Sequence, residues 1–290
     1  MVDRNYQLID FGGGRKLESI SGHVVDRPSP AADQSRRSLP SVWHKADSRF
    51  DAEKKTWVHR TPWPADATVD CDGFVMPVRP TPYGHIGLFP EQQPNWQWLR
   101  DIQTLGVDPG DNEPAKALNL FGYTGASTIA MVSAGFAVAH VDAAKPNVQS
   151  VRLAAELNGH ADAPIRYLVD DAAKFVSREV RRENRYHTIV LDPPAYGHGP
   201  SGKAWRLERD LWPLLTECVK LIDPKHFRLL VTGHSPQVGH TEVVDFFHES
   251  TGHMDLDPSR LRIDAGRSQL VDQSGRKLDT GFFVRMAYPR

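Results

Sequence analysis

Apolar and polar positions alternate in two different ways along the 290-residue chain. Up to about residue 90, short apolar pieces are separated by prolines, glycines and polar turns, which is typical of short β-strands. From residue 91 onward, apolar strand patterns alternate regularly with amphipathic helices. The sequence therefore predicts a small β-rich N-terminal domain over residues 1–90 and an α/β domain over residues 91–290.

The second domain consists of repeated strand–helix units. Strands are expected over residues 117–122, 137–142, 165–169, 187–192 and 227–232, and two late strands would close the sheet, the last of them antiparallel. Repeated βα units form a mostly parallel, doubly wound sheet. Its crossovers bring the loops at the carboxyl ends of the strands to one edge, where ligands bind. The intervening helices are expected over residues 125–134, 146–158, 172–184, 207–222 and 240–250.

The first strand of this domain runs into a glycine turn. Gly122 and Gly125 follow the apolar segment that begins at Ala117, and glycine allows both a tight turn and a close approach of a ligand to the backbone. The Gly-x-x-Gly spacing differs from the Gly-x-Gly-x-x-Gly that seats a pyrophosphate, which disfavours a dinucleotide oxidoreductase. Asp142 ends the second strand, where a carboxylate can accept both ribose hydroxyls of a nucleoside. Its alternative role is to cap the helix that contains Pro146.

Acidic residues also follow the third strand. Asp170 and Asp171 are adjacent, so that one could meet an adenine amino group while the other caps the helix beginning at Ala172. We favour Asp171 for the adenine.

The fourth strand ends in Asp192-Pro193-Pro194, the most specific signal in the chain. Two prolines fix the backbone and leave the neighbouring carbonyls available as acceptors. Such a group could hold an amino group so that its lone pair points at an electrophile. Tyr196 and the glycine-containing segment up to Lys203 are expected to form a flexible loop beside this acid, and the tyrosine ring could stack on a planar base.

The net charge and composition limit the classes of partner that the chain could bind. The formal net charge is −1, so any basic face for a polyanion must be local. No apolar run approaches the ~18 to 20 residues that span a bilayer. The N-terminal residues Met1–Tyr6 lack the basic-then-apolar pattern of a signal peptide, so we expect a cytoplasmic protein without a membrane partner. Two basic clusters are interleaved with acids, which favours solvated helix faces. They are Arg178, Arg181, Arg182 and Arg185, and separately Lys203, Arg206 and Arg209.

With these residues in hand, the chain resembles the class I S-adenosylmethionine-dependent methyltransferases, in particular the large-subunit ribosomal RNA methyltransferases that modify cytosine carbon 5 or guanine nitrogen 7. The matching segments are Gly87–Asn95, Asn119–Gly125, Asp142 with Leu157-Asn158-Gly159, Asp171, and Leu191–Gly197. The resemblance implies S-adenosylmethionine as cofactor, a Rossmann-like seven-stranded sheet, a nucleobase acceptor, and an N-terminal domain for substrate or RNA recognition.

The resemblance also implies which residues form the site. The catalytic positions are Asp192, Pro193, Pro194 and Tyr196. The cofactor contacts are Phe89, Gln93, Asn95, Asn119, Phe121, Gly122, Tyr123, Thr124, Gly125, Ala126, Ser127, Asp142, Ala143, Asp171, Ala172 and Asp192, and no metal is expected.

The positions of the two cysteines indicate which atom of the acceptor is methylated. Carbon-5 methylation of a pyrimidine requires a thiolate that attacks the ring, and family members with that activity carry it at the end of strand four or five. Here the fourth strand is followed by Asp192-Pro-Pro-Ala195 and the fifth by Thr232-Gly-His-Ser-Pro236. Cys71 and Cys218 are far apart, and Cys218 is expected to pack in the core. A nitrogen acceptor therefore fits better, although Ala195 stands where amino-methylating enzymes commonly place an aromatic residue.

Three functions remain open from the sequence. The first is methylation of a nucleobase nitrogen in RNA, with ribosomal RNA as the expected acceptor. The second is methylation of a protein side chain or small molecule, and the third is RNA binding without catalysis. Trp43, Trp57 and Trp63 could form a stacking surface for bases, but in a small β domain they are also candidates for the core. The oligomeric state is left open.

Overall fold

The N-terminal apolar pieces form short strands, as the pattern predicts. The computed structural model describes residues 5–104, 113–198, 204–252 and 254–289. A five-stranded sheet has the order β1-β2-β3-β4-β5, with β5 outermost, and a separate hairpin pairs β6 with β7. The strands are β1 (Tyr6–Gly12), β2 (Arg15–Ile20), β3 (His23–Pro28), β4 (Ser48–Asp51), β5 (Thr56–His59), β6 (Thr68–Asp70) and β7 (Val75–Pro77).

The chain divides into two compact units. Unit 1 comprises Met1–Gln93 together with Ser268–Thr280, and unit 2 comprises Pro94–Arg267 together with Gly281–Arg290. The sequence pattern assigned every residue after 90 to one domain, whereas Ser268–Thr280 belongs with unit 1. Apolar burial explains this return, because Leu270 and Leu278 pack in one core cluster with residues of β1.

A buried carboxylate organises the polar interior of unit 1. Asp10 is fully buried and accepts hydrogen bonds from Ser38 N at 3.0 Å and from the Trp43 indole at 2.7 Å, and it is paired with Arg276. Burial alone would raise the pKa of Asp10, but the hydrogen bonds from Trp43 and from backbone amides outweigh burial and lower it. Trp43 is thus a core residue.

Unit 2 carries the predicted Rossmann-like sheet. Its seven strands have the order β10-β9-β8-β11-β14-β16-β15; β14 and β16 pair antiparallel, as predicted. The elements are α1 (Gln93–Arg100), β8 (Lys116–Leu120), α2 (Ala126–Ser133), β9 (Ala137–Asp142), α3 (Lys145–Leu157), β10 (Ile165–Val169), α4 (Ala172–Arg181), β11 (Thr188–Leu191), β12 (Tyr196–His198), β13 (Ala204–Arg206), α5 (Leu207–Val219), β14 (Phe227–Gly233), α6 (His240–Thr251), β15 (Arg262–Val271) and β16 (Lys277–Tyr288).

A buried arginine in β14 ends helix α1. The guanidinium of Arg228 donates hydrogen bonds to the carbonyls of Trp98 at 2.8 Å, Leu99 at 3.0 Å and Asp101 at 2.9 Å. Trp98 and Leu99 lie in the last turn of α1, where a helix leaves its carbonyls without intrahelical partners, and Asp101 directly follows the helix. Burial lowers the pKa of Arg228 to about 10. The side chain therefore serves as a buried helix cap, although its charge would suggest a surface position.

Candidate functional site

The carboxyl ends of four neighbouring strands form the candidate site in unit 2. Strands β10, β9, β8 and β11 are adjacent and parallel, so their carboxyl ends meet at one edge of the sheet. This edge carries the glycine turn after β8, Asp142 at the end of β9, Asp170 and Asp171 after β10, and Asp192 after β11.

The turn after β8 has an unusual backbone. Phe121 and Tyr123 adopt left-handed φ angles of 55° and 49°, and Gly125 has φ 96°. Non-glycine residues rarely adopt this conformation, and it concentrates at functional sites. A Cβ at Gly122 would lie 2.4 Å from the His140 ring, and one at Gly125 would lie 2.7 Å from Val151. Packing therefore requires glycine at both positions.

Asp142 fixes this turn. One of its carboxylate oxygens accepts a hydrogen bond from Tyr123 N at 2.8 Å, and the other accepts from Ala144 N at 2.9 Å and from the Asn147 amide at 3.0 Å. The cap residue of α3 is Ala144, so Asp142 supports the start of this helix from two residues before it. The carboxylate is half-buried, and a carboxylate has about four acceptor sites, so these three bonds leave capacity for a ligand.

A buried polar chain lies beneath the turn. The Asn119 amide donates to the Thr128 hydroxyl at 2.9 Å, and this hydroxyl is 2.9 Å from His140 Nδ1. The Thr128 oxygen has a second lone pair, so either the hydroxyl or Nδ1 can donate in this contact, depending on the imidazole tautomer. Burial lowers the pKa of His140 to about 4, so the ring is neutral. Asn119, predicted as a cofactor contact, is fully buried here and supports the turn from below.

The two acids after β10 have separate partners. Asp171 is the N-cap of α4 and accepts a hydrogen bond from Lys174 N at 3.0 Å. Asp170 accepts from Asp171 N at 2.8 Å and is paired with Arg178. The capping role thus falls to Asp171, which the sequence favoured for adenine. The exocyclic amino group of an adenine would have to share this carboxylate with the helix. Ala172 is buried at the first position of α4.

The acid after β11 is oriented by the neighbouring strand. The Thr232 hydroxyl, which is buried in β14, donates to the Asp192 carboxylate at 2.6 Å. The carbonyl of Pro194 accepts a hydrogen bond from the Trp205 indole at 2.8 Å. The same indole packs on Phe121, with 4.9 Å between the ring centroids. Trp205 therefore touches both the turn after β8 and the Asp-Pro-Pro segment.

A flexible loop was expected from Tyr196 to Lys203, but this segment begins with strand β12, which pairs with β13 directly after it. Tyr196 pairs with Arg206 and Gly197 with Trp205, and the Trp205 side chain also contacts Pro194 and Phe121. Residues 199–203, including Lys203, lie outside the described residues. Tyr196 is exposed.

The other predicted contacts are distributed as follows. In unit 1, Phe89 precedes a short 3-10 helix over Pro90–Gln92 and packs against His85. In unit 2, Asn95 is buried and accepts a hydrogen bond from Arg285 Nε at 2.9 Å. The remaining positions lie in or beside elements already described: Gln93 begins α1, Thr124 precedes Gly125, Ala126 and Ser127 begin α2, and Ala143 follows Asp142.

Sequence reasoning missed three residues of this edge: His140, Trp205 and Thr232. His140 could have been noticed as the only polar residue inside the apolar strand Ala137–Val141. Trp205 and Thr232 gave no signal, because their contacts reach Phe121 and Asp192 across the sheet.

Over the described ranges, no group of three or more histidine, cysteine, aspartate or glutamate residues could hold a metal ion. No helix among the same residues is long and apolar enough to cross a membrane.

Comparison with known proteins finds a solved structure that matches nearly the whole chain. No family model matches it. The chain is 31% identical to a SAM-dependent methyltransferase from Agrobacterium tumefaciens of known crystal structure, with a TM-score of 0.87 over 99% of this chain and 91% of that one.

Shorter matches come from two curated proteins. Ribosomal RNA large subunit methyltransferases K/L from Methylococcus capsulatus and Desulfotalea psychrophila are each 30% identical, over 109 and 111 residues. These matches cover 37% and 38% of this chain but only 15% of either relative.

Proposed function

The chain belongs to the S-adenosylmethionine-dependent methyltransferases, and we propose that it methylates a nitrogen of an RNA nucleobase, with ribosomal RNA as the acceptor and the cytoplasm as the place of action. The observation that carries this proposal is the Asp192-Pro193-Pro194 segment, whose carboxylate is oriented by Thr232 at 2.6 Å at the same sheet edge as the glycine turn.

The residues of this edge fit the cofactor. The ribose hydroxyls and the adenine amino group of S-adenosylmethionine are hydrogen-bond donors, and the edge supplies the half-buried carboxylates of Asp142 and Asp171. Gly122 and Gly125 allow a close approach to the backbone. When bound, S-adenosylmethionine supplies a methyl group activated by a positively charged sulfur.

The chain's own residues then position the acceptor. Asp192 accepts hydrogen bonds from an amino group and so directs its lone pair, which is catalysis by positioning and electrostatics. The two prolines fix the backbone at this point. The Trp205 indole holds the Pro194 carbonyl at 2.8 Å, so it acts as a positioning residue for this segment.

Burial of both thiols supports a nitrogen acceptor. Cys71 and Cys218 are buried, and burial raises the pKa of each thiol far above its ordinary value. A thiolate for attack on a pyrimidine ring is therefore not available from either residue. The ribosomal RNA part of the proposal is supported by the names of the two curated relatives.

Transfer of radiolabelled methyl groups tests this function. The purified protein and labelled S-adenosylmethionine would be incubated with RNA, protein and metabolite fractions from cells that lack the gene, and we expect label in the RNA, on a base nitrogen after nucleoside digestion. Label confined to the protein or metabolite fraction would contradict the proposed acceptor, and no label in any fraction would contradict catalysis.

Asp192→Asn tests the role of the acid, because it keeps the side-chain shape and removes the charge. We expect turnover to fall by at least about 100-fold, as for loss of one positioned polar group, while cofactor affinity stays nearly unchanged. Thr232→Val should give a smaller fall and Thr232→Ser almost none, since serine retains the donating hydroxyl. Transfer by Asp192→Asn at the parent rate would show that this acid does not hold the acceptor.

A further inference from the structure

A small cavity opens at the amino ends of the parallel strands in unit 2, at the opposite edge of the sheet from the candidate site. Its volume is about 190 Å³, whereas pockets for drug-sized ligands measure about 300–1,000 Å³. It is lined by the first residues of β8, β9 and β10 and by the segment between α4 and β11. Of the described residues that line it, three are cations, Lys116, Arg166 and Arg185, and none is an aspartate or glutamate. The cavity therefore suits a small anion.

The register of the sheet creates the hollow between two of these cations. Lys116 on β8 lies beside Ala137 on β9, and Arg166 on β10 lies beside Ala139. Paired residues, and residues two apart in one strand, project from the same face of a sheet. This is the face that α4 covers, because Ala139 packs in one core cluster with Phe175 of α4. The alanine side chains are short, so the two long cationic side chains border a depression on one face.

The spacing of the two cations allows both to contact one ligand. Adjacent strands lie about 4.8 Å apart and residues rise about 3.3 Å along a strand, so the register places the Cα atoms of Lys116 and Arg166 about 12 Å apart. The backbone of Lys116 is held in place by its neighbour across β11. Its N–H donates to His187 Nδ1 at 2.9 Å, and its carbonyl accepts from His187 N at 2.8 Å. A small anion between the two strands would be reached by an ammonium from one side and a guanidinium from the other.

The carboxylate that borders the lining residues is already well partnered. Glu179 of α4 is fully buried. It accepts hydrogen bonds from the Tyr186 hydroxyl at 2.5 Å, the Asn184 amide at 2.8 Å and the Arg182 guanidinium at 3.0 Å. Arg166 is farther away, at 3.8 Å. Because Arg182 offsets the charge of Glu179 at shorter range, Arg166 keeps most of its charge for the cavity.

The other two cations form no ion pair within the described ranges. Lys116 and Arg185 are both exposed. Arg185 donates through Nη1 to the carbonyls of Asn184 and Lys220, so its guanidinium is held by neutral groups and its charge is not offset. Both residues therefore add positive charge to that of Arg166.

Further carboxylates lie in the surrounding segments without lining the cavity. Asp223 accepts hydrogen bonds from two backbone amides of its own loop, at 2.8 and 3.2 Å. Glu113, Asp162 and Glu183 are exposed, where water and salt screen their charges. The cavity itself thus presents several positive charges to a ligand.

We propose that this cavity binds a phosphate group, as free phosphate or as the terminal phosphate of a nucleotide. The guanidinium fork matches two phosphate oxygens, and a lysine ammonium serves phosphate as a point charge. A terminal phosphate carries about two negative charges at neutral pH, which suits several cations better than the single charge of a carboxylate or chloride. The site is independent of the proposed function, because it lies at the other ends of the strands from Asp192.

Isothermal titration calorimetry with the full chain tests the site. The titrants are potassium phosphate, uridine 5′-monophosphate and potassium acetate, at neutral pH and equal ionic strength. We expect phosphate or the nucleotide to bind with a Kd of about 1 mM or lower, and acetate at least about 10-fold more weakly. Tighter binding of the nucleotide would identify a nucleotide as the source of the phosphate group, and the reverse order would identify free phosphate. Absence of binding by both, or equally tight binding of acetate, would overturn the proposal.

Variants locate the binding in the cavity. Lys116→Gln and Arg166→Gln should each weaken phosphate binding by about 10-fold or more, the fold-change for loss of one hydrogen bond to a charged group. Lys116→Arg keeps the charge and should bind much as the parent does. Arg181→Gln is the matched control, because it removes an exposed cation of α4 that does not line the cavity. Thermal unfolding without phosphate checks the fold, and Lys116→Gln, which breaks no ion pair, carries the test if Arg166→Gln does not fold.

The outcomes are distinguishable from those of the methyl-transfer test. We expect Lys116→Gln to lose phosphate binding and keep its methyl-transfer turnover. An equal loss of phosphate binding in Arg181→Gln would show an effect of net charge alone and would overturn the site, with the proposed function left standing. RNA binding that depends on Lys116, without binding of phosphate or nucleotide, would assign the cavity to an RNA backbone and also overturn the proposal.

Discussion

Replacing Asp142 by alanine separates two roles that the structure gives to one carboxylate. The side chain accepts hydrogen bonds from Tyr123 N, Ala144 N and the Asn147 amide, and it is expected to accept the ribose hydroxyls of the cofactor. Hydrogen bonds to charged groups are worth about 1.5 to 3 kcal/mol each, and loss of the ribose contacts should cost cofactor affinity an amount in this range. This corresponds to a roughly 10- to 150-fold rise in Kd.

The same substitution should also lower the free energy of unfolding. Three hydrogen bonds are lost, but the carboxylate is half-buried and water replaces part of each bond, so we expect about 2 to 3 kcal/mol in total rather than the sum of three full terms. The strained φ angles of Phe121 and Tyr123 then lose an anchor, and the loop should become more accessible to proteolysis.

Isothermal titration calorimetry with S-adenosylmethionine and urea unfolding measure the two effects. Asn147→Ala is the matched control, because it removes one of the three bonds to the same carboxylate and leaves the charge in place. We expect this control to be destabilised by about 1 kcal/mol with affinity changed by no more than about 3-fold, or 0.7 kcal/mol. Unchanged cofactor affinity in a folded Asp142→Ala variant would refute the ribose assignment.

Three further predictions concern buried groups. The folded pKa of His140, about 4, lies below the unfolded value near 6.5, so its stabilising effect is complete above pH 6.5 and is lost as the pH falls toward 4. Urea unfolding should therefore show a free energy of unfolding about 2 to 3 kcal/mol lower at pH 4.5 than at pH 7 because of this residue. The His140→Gln variant should lack this part of the decline. An equal decline in both proteins would contradict the role given to His140. The Cys71→Ser, Cys218→Ala double variant should retain its turnover if folded. A covalent adduct between the parent enzyme and RNA on denaturing gels would instead support methylation at carbon 5. Arg228→Met should lower the free energy of unfolding by about 2 to 4 kcal/mol, because several buried carbonyls lose their donor while the cost of burying a charge is relieved; a variant as stable as the parent by urea unfolding would refute the capping role.

Local sequence signals were sufficient for the sheet of unit 2. The strand expected over residues 165–169 has those bounds in the structure, because a short apolar run with clear turn residues on both sides defines it. Helix ends were less exact: α4 ends at Arg181 rather than at residue 184, and α5 at Val219 rather than at residue 222. The last helical turn lacks a sequence signal as strong as the apolar periodicity that precedes it.

Contacts between distant segments could not be read from the sequence. The Trp205 indole contacts Phe121, which lies 84 positions earlier in the chain, and no local sequence pattern predicts such a pair. The half-buried indoles of Trp57 and Trp63 and the buried indole of Trp43 likewise look alike in sequence, and only the fold separates them.

The composition of unit 1 from two stretches of chain has a consequence for its synthesis. Asp10 meets Arg276 across 266 positions, and Leu8 pairs with Asp272. A ribosome that adds about 5 to 20 residues per second needs roughly 10 to 40 seconds to supply the second stretch after the first. Throughout that time the emerged strands of unit 1 lack the leucines that complete their apolar core and the guanidinium that neutralises Asp10. N-terminal domains usually fold first on the ribosome, whereas this one completes its fold only after the parallel strands β8 to β14 have been translated.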